Sequence, residues 1–195
     1  MVESRHQSVE PDEHHPERAE VPNQLLVAAY EAALAVASEV DPQRVLHRIV
    51  EVARQVVPAR YAALGVANAA GQLEQFITSG MSDTEERAIG DLPHGHGLLG
   101  VLIHEQRALR IRNIHRDPRS AGFPANHPPM RSMLGVPIVL GDRALGNLYL
   151  TERVDGGPFT EEDEAALGIL AAYAAAAIDR AHLFEEIELG SRRSA

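Results

Sequence analysis

Residues 113–153 read NIHRDPRSAGFPANHPPMRSMLGVPIVLGDRALGNLYLTER, and this stretch decides the fold. Its second part is a β-hairpin: the apolar runs Met133–Leu140 and Ala144–Arg153 are joined across Gly141-Asp142-Arg143. Its first part, Asn113–Ser132, is a proline-stiffened loop. Each proline fixes its own φ and pushes the preceding residue out of the helical region. His127 stands directly before Pro128 and Pro129, so an extended backbone with few options is expected there. A loop with so little freedom is expected to place a side chain, and neutral histidine is the commonest metal ligand among side chains. The alternative is that the prolines only stiffen a crossover and His127 is a partly buried hydrogen-bonding residue.

Working outward, Tyr61–Asn68 and Leu73–Thr78 flank Ala69-Ala70-Gly71 as a second hairpin, and Ala108–Arg112 reads as a single strand. Ser82 with Glu85 forms a capping box for a short helix through Ala88. The turn Pro93-His94-Gly95-His96-Gly97 leads into a second short helix over Leu98–Ile103. Long helices lie at the two ends. Asn23–Val40 carries Leu25, Leu26, Ala29, Ala32, Ala33 and Val36 at helical spacing. Asp41 then caps a helix that starts at Pro42, bears a stripe from Val45 to Val56 and stops at Pro58. Thr160 caps the last helix, whose first turn is acidic and which runs to about Leu189.

This order predicts an α+β fold: an antiparallel sheet with the terminal helices on one face, and short helices and loops over a pocket on the other. One domain spans 22–189, between an acidic disordered tail at 1–21 and a flexible end at 190–195. The last helix has two apolar stripes, Leu167-Leu170-Ala174-Ala177-Ala181-Phe184 and Ile169-Tyr173-Ala176-Leu183-Ile187. Two stripes need two surfaces; one is the sheet, and the other is expected to be a partner helix in a parallel homodimer that buries Leu25, Leu167, Leu170 and Phe184 together.

Composition narrows the chemistry. Aromatics make up only 4% of the 195 residues and Trp is absent, so the core has to be aliphatic and rich in alanine. A net charge of −10 argues against a nucleic-acid surface, and the basic run Arg107–Arg112 alternates with apolar residues as a strand does. The absence of cysteine excludes disulfides, thiolate catalysis, iron–sulfur ligation and thioether-linked chromophores. With no apolar run of about 18 residues and no signal segment, a cytoplasmic protein outside the membrane is expected.

Alternation along the strands locates the pocket. In the first strand Ala62, Leu64 and Val66 share one face, and Tyr61, Ala63, Gly65 and Ala67 the other. In the last strand Leu148 and Leu150 oppose a row formed by Leu145, Asn147, Tyr149 and Thr151. Small residues facing a hydroxyl-bearing row suit a bulky, largely apolar ligand with one polar contact. The other reading is that Ala63, Gly65 and Ala67 let a neighbouring helix approach closely.

Several motifs then coincide: Ala59-Arg60-Tyr61, Leu92-Pro93 with Gly95 and Gly97, Gly122-Phe123-Pro124, His127-Pro128-Pro129-Met130-Arg131, Leu134-Gly135-Val136-Pro137, Gly146-Asn147-Leu148-Tyr149-Leu150-Thr151 and Pro158-Phe159-Thr160. Over about residues 41–187 the chain resembles a GAF domain, most of all the haem-binding first GAF domain of the mycobacterial dormancy-survival sensor kinases. The resemblance implies that haem b is held by His127 as proximal iron ligand, and that Tyr149 is distal and hydrogen-bonds bound gas. It also implies that Ala63, Gly65 and Met130 adjoin the cofactor and that the small-faced first strand governs access. Kinases of that family carry a glutamate or a glycine where this chain has Gly65, and one has a histidine where Ala67 stands. The implied task is sensing oxygen, nitric oxide, carbon monoxide or redox state, with a histidine kinase or another signalling partner taking the output. The chain carries neither the second GAF domain nor the kinase core, so it is read as a free-standing module or a sensory fragment. A haem-free GAF module, binding another small molecule or anion or acting only in dimerisation, is the alternative.

The other histidines are expected to be bystanders. His94 and His96 lack a third ligand at metal spacing, His104 caps the carbonyl end of its short helix, and His47 and His182 lie on helices. His115, in the same loop as His127, is the main competitor for a ligand role. No nucleophile–base pair and no His-Glu-x-x-His motif is present, and the GAF enzymes that reduce free methionine sulfoxide need cysteines, so no enzymatic activity is expected.

Overall fold

The Gln43 amide donates to Asp41 Oδ1 at 2.9 Å and Pro42 takes the first helical position, so the long apolar stripe starts its helix there. In the computed structural model of the chain, which describes residues 24–39, 41–68, 70–89, 97–123 and 126–193, this helix is α2 (Pro42–Val56) and follows α1 (Gln24–Ala37). Next come β1 (Ala59–Ala67), β2 (Leu73–Ser79), α3 (Asp83–Ile89), α4 (Gly97–His104) and β3 (Leu109–Ile111). A 3-10 turn at Ile114–Arg116 leads through the long loop to β4 (Met133–Leu140), β5 (Arg143–Arg153) and α5 (Glu161–Arg193). The strands form one antiparallel sheet in the order β2-β1-β5-β4-β3, which is the α+β architecture expected from the alternation. The tail at 1–21 and the His94–His96 turn lie outside the described residues.

Local chemistry sets the helix starts. Ser82 and Glu85 cap each other reciprocally at 2.8 and 3.3 Å, and Thr160 and Asp163 do the same at 2.8 and 3.1 Å. The sheet separates two apolar clusters. Ala62, Leu64, Val66, Leu134, Val136, Leu148 and Leu150 face α1, α2 and α5 in the main core. Under α4 and the long loop, Leu98, Leu102, Leu109, Ile111, Ile114, Met130 and Met133 form a second cluster, against which Tyr61, Phe123 and Tyr149 pack. Each large aliphatic side chain sealed in the main core contributes roughly 1.5–3 kcal/mol, so that cluster holds the fold and leaves the second free to serve a site.

Three expectations are corrected. Ile138 pairs with Gly146 and Val139 with Ala144, so Leu145 is the extra residue of a β-bulge. The bulge turns Leu145 to the helix face, where it is buried in the main core instead of joining the row of Asn147, Tyr149 and Thr151. Leu167 and Leu170 are fully buried in the chain's own core and are closed to a partner, while Phe184 has no described side-chain environment. The second stripe of α5 is covered in part by α1 of the same chain, with Ile169 and Tyr173 packed against the core. The α5 helix ends at Arg193. The span Glu161–Leu183 of this helix is long and apolar enough to cross a membrane by length and composition, and it is also the helix that covers the sheet.

Candidate functional site

The floor of the site is the face of β1 and β5 turned toward the second cluster. Ala63 pairs with Tyr149 and Gly65 with Asn147, so the small residues of β1 lie beside the polar row of β5. Ala63 and Gly65 are both buried. A Cβ on Gly65 would stand 2.7 Å from Leu73 Cδ2 and 3.0 Å from Asn147 Oδ1, so this glycine opens a notch that a leucine end and an amide occupy. The Tyr149 ring lies 6.1 Å from Phe76, and its hydroxyl has no hydrogen-bond partner among the described residues. Burial pushes the phenol far above its ordinary value, so Tyr149 keeps its proton and remains a donor.

The loop supplies the roof. Asn113 caps the 3-10 turn, and the Ile114 amide donates to the Arg131 carbonyl at 2.7 Å, which closes the loop at its base. Asp117 accepts from the Arg119 backbone and guanidinium, and that cation holds its carboxyl well below the usual range, at about 2. His127 is half-buried and stacks on Phe123 with centroids 4.6 Å apart, while His115 meets the same ring edge-on at 5.6 Å and is exposed. His127 Nδ1 lies 2.8 Å from the Pro128 carbonyl. A carbonyl only accepts, so Nδ1 is the donor of this contact, and in the neutral ring the lone pair falls to Nε2. A second-sphere bond of this kind orients a ligating imidazole and raises its basicity. Of the two histidines of the loop, His127 is the half-buried one and the one with a backbone carbonyl on its ring. Met130 is buried in the second cluster, and its Sδ accepts from Thr151 Oγ1 at 3.0 Å.

This arrangement of a five-stranded sheet, helices on one face and a loop-roofed site on the other has clear relatives. Residues 39–179 match the GAF domain family. The chain belongs to that family. The GAF domain of a phosphoenolpyruvate-protein phosphotransferase from Coxiella burnetii superposes with a TM-score of 0.72 at 22% identity, over 83% of this chain and 96% of that one. A free methionine-R-sulfoxide reductase from Neisseria meningitidis, in complex with its substrate, gives 0.62 at 18%, over 82% and 92%. A GAF domain/HD domain protein from Geobacter sulfurreducens gives 0.63 at 17%, over 77% and 98%. At such identities the likeness concerns the fold; GAF domains are sensory and signalling modules, and some are enzymes.

In this GAF domain the site is wired to the last helix by residues that carry no motif. Glu152 sits in β5 at φ 57°, a left-handed conformation unusual for a glutamate. Its carboxylate accepts from the backbone amides of Arg131 and Ser132 (3.1 Å for Ser132), at the foot of the His127 loop. The next residue, Arg153, donates through Nε to Asp163 at 3.0 Å, and Asp163 is the buried capping residue of α5. Arg110 on β3 adds a second tie, to Glu164 at 2.7 Å and Glu161 at 3.0 Å. Arg112, Arg131 and Arg153 line an open cleft of about 320 Å³ beside this junction. The other described histidines are accounted for locally: His104 donates to the Gly100 carbonyl at 2.7 Å, His47 to the Gln43 carbonyl at 2.9 Å, and His182 lies 3.6 Å from Glu74.

Proposed function

We propose that this GAF domain is a non-enzymatic sensor whose pocket would take haem b, held by His127, and that gas binding or iron redox state is its signal. The observation that carries the reading is the Nδ1–H bond from His127 to the Pro128 carbonyl, which leaves Nε2 ready to ligate. Among the described residues no group of three or more His, Cys, Asp or Glu side chains could hold a bare ion. A single imidazole instead suits a metal that brings its other ligands with it. The side chains over Gly65 and Gly135 are the flexible ends of Leu73 and Leu102, which can move aside for a flat apolar ring. When bound, haem supplies an iron centre that takes a diatomic ligand or changes oxidation state.

The chain's own residues do the rest. Phe123 stacks on the His127 ring and holds its plane. Tyr149 presents a protonated, unpartnered hydroxyl on the floor. A shift of the His127 loop is passed through the Arg131 and Ser132 amides to Glu152, then through Arg153 to Asp163 and α5. The specific observation favouring a haem-free module is that Leu73 and Leu102 already fill the positions the glycines leave open. An absorption spectrum of the purified chain after expression with a haem supply, with and without dithionite and carbon monoxide, decides between them. A Soret band supports the haem reading, and its absence in haem-replete protein removes it.

If the Tyr149 hydroxyl donates to bound gas, the bond is worth about 1.5–3 kcal/mol, or roughly ten- to hundredfold in dissociation. Tyr149→Phe is expected to speed oxygen release by that factor and to leave carbon monoxide, a weaker acceptor, nearly unchanged. Parallel off-rates for the two gases test this; an equal change in both would show that Tyr149 only packs.

The homodimer is proposed on a different surface from the one the spacing predicts. Val27, Tyr30 and Leu34 form an exposed stripe on α1, opposite the buried Ala29 and Ala33, and Leu183 is exposed on α5. Covering these side chains in a second copy would contribute roughly 1.5–3 kcal/mol each at full burial. Light scattering at tens of micromolar is expected to show a dimer that Tyr30→Glu with Leu34→Glu dissociates. A monomeric wild type would refute the assignment.

A further inference from the structure

Asn147 lies in β5 between β1 and β4, paired across to Gly65 and Pro137. It is fully buried, and among the described residues neither its Nδ2 nor its Oδ1 has a hydrogen-bond partner. Buried side-chain amides are nearly always bonded, and an orphaned one carries its whole desolvation cost. Nothing beside it asks for an amide, since its cross-strand partners are Gly65 and Pro137 and the side chain that shares the Gly65 notch is Leu73. The fold alone would be better served by an apolar residue.

The place of the amide gives it a use. Asn147 shares its face with Tyr149 and Thr151, the face turned toward the roofed cluster, and Tyr149 carries a hydroxyl for which no hydrogen bond is seen among the described residues. Its Oδ1 lies 3.0 Å from the point a Cβ on Gly65 would occupy, so the amide borders the notch that the small residue leaves in the floor. Two free polar groups two residues apart, on an otherwise apolar floor, make a paired contact for one small polar ligand.

We infer that Asn147 is a specificity-determining residue of this pocket: its carboxamide donates to the bound ligand beside the Tyr149 hydroxyl and selects for small hydrogen-bond acceptors. This rests on the haem-sensor reading for the identity of what is bound, in which the acceptor is a small anionic or dipolar ligand. A group retained for a ligand and not for the fold has a signature that a structural residue lacks: its apolar replacement stabilises the ligand-free chain and weakens ligand binding.

The test uses the full chain and Asn147→Val, the nearest apolar residue in volume with a good strand preference. By thermal denaturation of the ligand-free protein, the variant is expected to melt about 2–4 °C above wild type. In the haem-loaded ferric protein, sodium fluoride, a pure acceptor, is expected to bind about tenfold more weakly to the variant. Carbon monoxide affinity of the ferrous form should stay within about twofold, which reports that the haem itself is undisturbed. An equal or lower melting temperature overturns the inference, and so does an unchanged fluoride affinity. If valine is not accommodated beside Leu73, Asn147→Ala removes the same two atoms without added volume, and fluoride affinity decides. If wild type shows no Soret band, the haem reading fails on its own and the melting temperature alone judges Asn147.

Discussion

His127→Ala is expected to abolish haem retention while moving the melting temperature by no more than about 2 °C. Binding should suffer because this imidazole is the half-buried one, with Nδ1 held by the Pro128 carbonyl and Nε2 left free. Stability should not, because the main core lies on the opposite face of the sheet, and the loop is closed independently by the Ile114–Arg131 backbone bond and the Asp117–Arg119 pair. His115→Ala is the matched control, since it removes an exposed ring from the other edge of Phe123. Soret intensity per protein, with thermal denaturation alongside, checks both. Equal retention in His127→Ala with loss in His115→Ala would assign the ligand to the wrong histidine. Loss in neither would show that neither histidine of the loop holds the haem.

Gly146→Ala is expected to be the most damaging alanine substitution among the described glycines. Gly146 has φ 155°, and a Cβ there would stand 1.9 Å from the Gly65 carbonyl oxygen of the paired strand. That contact is with backbone and has no side chain to yield, so β1 and β5 must part at the pair Val66–Gly146. A cost of at least about 3 kcal/mol follows, or roughly 6–12 °C in melting temperature for a chain of this size. Gly141→Ala isolates the conformational part, because Gly141 has φ 59° in the hairpin turn and nothing within 4 Å of its would-be Cβ. It should cost only about 1–2 kcal/mol. Similar losses in the two variants would mean that the backbone angle and not the contact dominates.

Much of the site was legible because its signals are local or periodic. The proline pair that stiffens the His127 loop is a backbone constraint written at one position. The floor of Ala63 and Gly65 and its partner row follow from the two-residue period of strands. What escaped was the wiring. Glu152 has no motif, and its role depends on a left-handed backbone angle together with amides about twenty residues away. Asn147 was visible as a polar member of the row, yet whether its amide finds a partner depends on what β1, β2 and α4 bring to it. Leu145 was placed on the wrong face, since one inserted residue reverses every orientation beyond a bulge.

The sequence by itself determined the element types and their order, the caps at Asp41, Ser82 and Thr160, and the face on which each regular strand residue lies. Those follow from periods of 2 and 3.6 and from hydrogen bonds spanning a few residues. Only the tertiary structure decided that α1 covers part of the second stripe of α5, that Leu167 and Leu170 are spent in the chain's own core, and that Glu152 and Arg153 join the His127 loop to Asp163. Each of these depends on segments far apart in the chain meeting at a particular register, and a local pattern of apolar and polar residues does not encode which of several suitable surfaces another will cover.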